Sequence, residues 1–268
     1  MRLAIEHRTT YRFTAPQARL VQMLRVTPAN SHDQTVASWR LDLDCDARLT
    51  EARDGFGNRV TMLYAEGPLD GIEIAVVGEV VTSHSDGVLR GVDEVLPPLL
   101  YRRATPATAA DPAIATFAAK AAGDRPALAA LHAINQALHD RFGIDHGMPE
   151  AGLAAADAFG RATATPRDLA QIFTAGARSI GVPARYVTGY SIAHGLGHHR
   201  PTPHGWAEAH VEGIGWIGFD PCTGLSPEEH YVRVAIGLDA AGASPVAGSR
   251  MGDGQERLDV DVQVVSGD

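Results

Sequence analysis

Cysteine is almost missing from this chain, with two in 268 residues, Cys45 and Cys222. That excludes a disulfide framework and a zinc ribbon, which need several thiols at set spacings. Basic residues are outnumbered, 23 against 32 acidic, for a formal net charge of -9. Such a field repels phosphate, so nucleic acid is not an expected partner. Long apolar runs are absent as well. The stretch IEIAVVGEVV is broken by glutamates and falls short of the ~20 residues a spanning helix needs. The opening MRLAIEHRTTYRF carries charges where a secretion signal needs an apolar core. The expectation is a cytoplasmic protein with no membrane contact. What the chain does hold is 45% hydrophobic residues, and its length suits one large core or two modest ones at about 150 residues per domain.

From Met1 to about His84 the chain reads as short strands separated by turn residues: RLAIEHRTTYRF, ARLVQMLRVTP, SWRLDLDC, NRVTMLYAE and IEIAVVGEVV. The DGFGN segment supplies Asp, Gly and Asn where a turn needs positive φ. Alternation places Trp39, Leu41, Leu43 and Cys45 on one face, so Cys45 reads as a small buried hydrophobe. Residues 85–110 suit a linker or cap. From Asp111 to Arg141 alanine and leucine recur at helical spacing in two helices. A third helix runs from Thr165 to about Ser179, followed by a glycine stop and a strand through GVPARYVTGY. The segment HGWAEAHVEGIGWIGFDPC reads as a β-hairpin centred near residue 212. VRVAIGLD and ERLDVDVQVV alternate again before a polar tail.

The third helix begins with strong signals: Thr165 as N-cap, Pro166 at the first helical position and Asp168 in a capping-box variant. Its amino end concentrates partial positive charge, to which Arg167 adds a full one. An anion or polarised carbonyl would be favoured there, although an ordinary hydrated helix end explains the same residues. A hairpin centred at 212 places His204 opposite Asp220. An imidazole oriented by a carboxylate is the pair of many acid–base sites, and such pairs also occur as plain structure. His194, His198 and His199, with His204, Glu208 and Asp220, invite a metal reading by ligand type. Their spacing matches no known metal signature, so no metal or other cofactor is expected.

The run IFTAGARSIGVPARYVTGY followed by HGWAEAHVEGIGWIGFDPCTG resembles the core of bacterial transglutaminase-like proteins, which share the papain-like architecture. IEHRTTYRF, the LRVTP step and DGFGN resemble the β-sandwich domain that precedes that core, and VRVAIGLDAAGASPVAGSRMG resembles its closing segment. The resemblance implies an α+β protein: an N-terminal antiparallel β-sandwich, residues 1–95, then a transglutaminase-like core of helices packed on an antiparallel sheet, residues 96–268. In that family a cysteine at the amino end of the central helix attacks an amide carbonyl, a histidine activates it and an aspartate orients the histidine. His204 and Asp220 map onto the last two. The nucleophile's position is occupied by Pro166, within TPRDLAQ.

Two side chains are candidate replacements. Thr165 stands one position early, but its hydroxyl is expected in the helix cap. Cys222 stands where the family usually has threonine, on the aspartate side of the imidazole, and reads first as a packed side chain. Trp206 and Glu208 are expected to shape and brace the strand, Arg185 to form a structural ion pair, and His210 to pack near the hairpin end. In GLDAAGASP, Leu238 and Ala240 flank Asp239 where relatives carry Arg-Asp-Tyr.

The expected function is therefore cysteine-independent acid–base chemistry by the pair His204 and Asp220: a lyase, isomerase or water-attack hydrolase acting on a small carbonyl, carboxylate or amide-type substrate. Thr165, Pro166, Arg167, Trp206, Cys222 and His199 are expected to line the site. The alternative is a catalytically inactive module that binds a peptide or ligand; a classical cysteine transglutaminase or protease fits least. Small-molecule or peptide-like ligands are the expected partners, and homo-oligomerisation is left open.

Overall fold

The architecture is set by two very long strands, Arg2–Leu24 (β1) and Arg59–Thr82 (β4), with Gln34–Leu43 (β2) and Ala47–Arg53 (β3) between them in sequence. This computed structural model describes residues 1–109, 111–192 and 199–267. β1 and β4 run antiparallel along their whole length, with register shifts around Gln17 where the pair bends. The runs that read as separate strands thus fuse in pairs, the GPLDG segment continuing within β4 rather than ending it. One half of β4 pairs with β2 and the other with β3. Leu20, Leu24 and Leu63 from one half share a core with Ile72, Ile74 and Val76 from the other, so the folded sheet packs on itself. Trp39, Leu41, Leu43 and Cys45 lie against that core, half-buried as the alternation requires.

Helices follow. Pro112–Ala122 (α1) is capped by Asp111, whose carboxylate accepts from the Ile114 amide at 2.8 Å. Ala127–Arg141 (α2) comes next, then the two-residue strand Gly143–Ile144 (β5), Ala155–Phe159 (α3) and Thr163–Ala164 (β6), which pairs with β5. Pro166–Ser179 (α4) is the central helix, buried at nearly every position, as expected of an element enclosed on all sides.

A second sheet lies beside it, built from Ala184–Ser191 (β7), His204–Val211 (β9), Gly215–Phe219 (β10) and Tyr231–Gly237 (β11) in the order β10-β9-β7-β11; His199–Arg200 (β8) instead joins the first sheet. Leu169, Ile172 and Phe173 of α4 pack with Ala207, Ala209, Ile217 and Phe219 from the β9–β10 hairpin. Phe173 and Phe219 stack at 5.0 Å between centroids.

The chain then returns. Val246–Met251 (β12) and Glu256–Ser266 (β13) both pair with β1. These strands, assigned by the expected division to the second unit, hydrogen-bond into the first sheet, and the alternating run ERLDVDVQVV makes up nearly all of the eleven-residue β13. Leu3, Ile5, Val262 and Val264 share a core with Ala170, Tyr190, Val232 and Val234, so both sheets are packed through common apolar contacts. Among the described residues no helix is long and apolar enough to cross a membrane.

Candidate active site

The start of α4 forms as its sequence requires. The Thr165 hydroxyl donates to Asp168 Oδ2 at 2.6 Å and accepts from the Asp168 amide at 3.3 Å, closing the capping box. Strand β9 passes close to this tip because residue 205 is glycine. A Cβ there would collide with the Tyr186 hydroxyl and sit 3.3 Å from Arg167 Cα. Pro166 and His204 consequently line one small cavity of about 140 Å³, with His146, Gly147, His199 and residues 200–203.

His204 is 7% exposed and Asp220 fully buried. His204 Nε2 lies 2.7 Å from Asp220 Oδ2. The pair does not stand directly across the hairpin as expected. The ladder runs Gly215 to Val211 through Phe219 to Ala207, a register that carries Asp220 towards Trp206, so His204 is reached along the diagonal. The cause is the turn, where Gly213 and Gly215 both take positive φ and move the centre of the hairpin to residue 213.

Asp220 is held from every side. The Tyr231 hydroxyl donates to Oδ2 at 2.8 Å and the Cys222 amide to Oδ1 at 2.9 Å. Burial pushes its pKa up, but His204 and these two donors outweigh burial and hold the carboxyl below its ordinary value. An ionised carboxylate only accepts, so His204 Nε2 is the donor. The ring's other nitrogen, Nδ1, is buried with no partner among the described residues. In neutral imidazole that atom carries the lone pair, and it belongs to the ring that faces the cavity shared with Pro166.

The remaining expected site residues divide. His199 lines the same cavity, while its Nδ1 lies 2.9 Å from the Asp261 carboxylate on β13. Arg167 does not reach freely into that cavity: it donates to Asp168 Oδ1 at 2.8 Å and to the Glu150 carbonyl. Its side chain lines instead a larger, mainly apolar cavity of about 370 Å³ between the two sheets, with Gln171 and Tyr186 from the core and His7, Tyr11 and Val260 from the first sheet. Both cavities share Pro201, Thr202 and Pro203. Thr165 is in the wall of neither, because its hydroxyl is spent on the cap. Trp206 backs the site: its ring stacks on His204 at 6.1 Å and meets Tyr231 edge-on at 5.5 Å. Cys222 sits on the Asp220 side, and burial followed by the Asp220 charge raises its thiol well above the ordinary value, the reverse of an activated nucleophile. His194 and His198 lie outside the described residues.

Arg185, Glu208 and His210 behave as braces. Arg185, fully buried, bonds Glu208 Oε2 at 2.7 Å and both oxygens of Glu94, with its guanidinium 3.8 Å over the Trp216 ring. His210 packs edge-on against Trp216.

Tyr231 and Arg233 escaped the sequence reading. Their signal was the Tyr-Val-Arg alternation opening β11, which aims two donors from one face at two acids: Tyr231 at Asp220 and Arg233 at Glu208. They reach across β7 because Gly189, paired with both Arg233 and His204, has no side chain in the way.

A helix tip set against a histidine–carboxylate pair on an antiparallel sheet defines a papain-like α+β protein. Residues 3–81 match the bacterial transglutaminase-like N-terminal region and residues 115–221 the transglutaminase-like superfamily core. The chain belongs to the transglutaminase-like superfamily. It is 26% identical over 279 residues to the "Uncharacterized protein ML0607" of Mycobacterium leprae (strain TN), covering 98% of each chain. A crystal structure from Cytophaga hutchinsonii, described as that of a candidate cysteine protease, superposes with a TM-score of 0.76 at 21% identity, over 100% of this chain and 92% of the other; that likeness concerns the fold alone.

Proposed function

We propose that this transglutaminase-like protein works without a cysteine nucleophile at the helix tip, using His204 as general base and acid and Asp220 to orient it. The substrate is a small carbonyl, carboxylate or amide-type compound entering the cavity between Pro166 and His204, and the reaction is an elimination, an isomerisation or an attack by water. One observation carries this reading: the buried Nδ1, unpartnered among the described residues, of a ring whose opposite nitrogen is held by an ionised carboxylate. A buried acceptor without a partner costs about 1–3 kcal/mol, and a bound substrate or water would supply the missing donor. Two features support the absence of a covalent step. By resemblance the nucleophile position is Pro166, which has no reactive group, and both neighbouring candidates are disabled, Thr165 by its cap and Cys222 by a raised thiol pKa.

Positioned proton transfer is worth typically about 10²–10⁴-fold. That suffices for substrates with an acidic proton or a good leaving group and falls short for peptide bonds. The test is a panel of aryl esters, thioesters, anilides and β-substituted carboxylates. We expect turnover of at least one class, a loss of about 10²–10⁴ in kcat in His204→Gln, and no acyl adduct by intact mass. Equal rates in His204→Gln, or an acyl group on Cys222 or Thr165, would overturn the reading. The mainly apolar cavity of about 370 Å³ favours a second reading, a ligand-binding module that lacks chemistry; a wholly inert panel together with saturable binding of an apolar probe would select it.

A further inference from the structure

Among the described residues, one set of metal-ligating side chains converges. His204, Asp220 and Cys222 each offer a ligand atom, and these atoms all lie within 4.8 Å of one another. Imidazole nitrogen, carboxylate oxygen and thiolate sulfur are the three donor types zinc takes. Bond lengths of that kind put ligand atoms about 3.3–3.6 Å apart around a tetrahedral ion, so His204 Nε2 and Asp220 Oδ2, now 2.7 Å apart, must part slightly while any pair near the 4.8 Å limit closes in. The fourth position would be left for water.

The Arg200 guanidinium, near enough to feel the Cys222 and Asp220 charges, opposes a cation, while the other neighbours favour one. Two of the three side chains are buried, and Asp220 is ionised there with Tyr231 donating to it at 2.8 Å, the outer support that ligating carboxylates generally have. The Cys222 thiol sits beside that charge because the Asp-Pro-Cys turn is closed by the Cys222 amide bonding Asp220 Oδ1 at 2.9 Å. Where the family resemblance expects threonine, this chain thus carries a soft ligand at the one place that completes a three-ligand set.

We infer that His204, Asp220 and Cys222 form a binding site for a single zinc-like divalent cation, and that its occupancy switches the acid–base pair off. The second half rests on the function proposed above; the first rests on geometry alone. Binding takes the thiol proton, which leaves to solvent. The ring's proton passes from Nε2 to Nδ1 so that Nε2 can ligate, and the lone pair that would serve as base disappears. One proton is therefore released per ion, and the loaded and catalytic states exclude one another.

The test uses the full chain purified without a histidine tag and dialysed against EDTA, titrated with cobalt(II) alone. We expect one ion per chain, visible ligand-field bands of tetrahedral intensity and a thiolate-to-cobalt charge-transfer band. Cys222→Ser should remove the charge-transfer band and Cys45→Ser should retain it, while Tyr231→Phe should weaken binding about 10–100-fold. A measurement on the unaltered chain covers the case in which a variant fails to fold: zinc should protect Cys222, and not Cys45, from alkylation by N-ethylmaleimide. Absence of a cobalt spectrum with no protection, or a charge-transfer band surviving in Cys222→Ser, overturns the site. Stoichiometric binding that leaves turnover unchanged or raises it overturns the switch and counts against His204 as base, while the site stands.

Discussion

Strand β9 carries two buried polar clusters four residues apart, and they are finished differently. At Glu208 every oxygen is used: Oε1 accepts from Arg233 at 2.7 Å, and Oε2 from Arg185 at 2.7 Å and Arg233 at 3.1 Å. Burial pushes its pKa up, but Arg233 and Arg185 outweigh burial and bring it down to about 2. At His204 one ring nitrogen is held and the other has no partner among the described residues. Burial alone therefore does not mark the site, since Glu208 is the more enclosed of the two at 3% exposed against 7%. What distinguishes them is closure. A satisfied buried network specifies the fold, whereas an open valence at comparable depth leaves a place for something from outside.

Cutting each cluster in turn breaks or sustains this contrast. Glu208→Ala takes from Arg233 its carboxylate partner and from the fully buried Arg185 one of two, leaving Arg185 only Glu94, and should cost about 3–5 kcal/mol in urea denaturation, the range for breaking a buried pair from one side. His204→Gln removes an unpartnered atom and leaves Asp220 with its Tyr231 and Cys222 donors, so its cost should stay near ~1 kcal/mol. Similar losses in both variants would mean that the His204 cluster is structural as well.

A second histidine sharpens the comparison. His7 on β1 is as buried as His204, but both of its nitrogens are engaged, Nδ1 with the Tyr190 hydroxyl at 3.0 Å and Nε2 with Thr9 Oγ1 at 3.2 Å, where the first sheet meets β7. Burial lowers its pKa from 6.5 to about 4, against a small opposing pull from Asp261. The unfolded chain takes up this proton first as pH falls. Stability is thus complete above about 6.5, declines between 6.5 and 4, and loses about 3 kcal/mol in all from this one residue. Urea midpoints measured across that window should show the decline in the wild type and a flatter profile in His7→Gln.

Much of the site was legible because its signals are local. Thr165, Pro166 and Asp168 declare the tip of α4 within four residues, and the alternation His204, Trp206, Glu208 declares one face of β9. The hairpin's register was misplaced because two positive-φ glycines compete for the turn, and apolar alternation cannot choose between centres one residue apart. What escaped came from far along the chain. Glu94, Tyr231 and Arg233 reach the clusters from a linker and from a strand two places away in the sheet, and no periodicity announces such a meeting. The same holds for β13: its alternation was plain, but only long-range pairing could show that it closes the first sheet. β1 and β4 were read as broken because the turn residues near their middles mark a bend in a continuing strand.

The smallest effect examines the helix tip itself. Thr165→Ala removes the hydroxyl that Asp168 bonds twice, and the loss of such a cap costs about 1 kcal/mol, with a range of about 0.5–2. Arg167 still holds Asp168 Oδ1 through two nitrogens, which keeps the cost from the upper end. Because Thr165 is absent from the wall of either cavity, turnover per folded molecule should be unchanged, and Thr165→Ser should restore the wild-type urea midpoint. If Thr165→Ala instead abolishes turnover while remaining folded, the hydroxyl takes part in the reaction, and closure of the cap would no longer separate bracing residues from working ones.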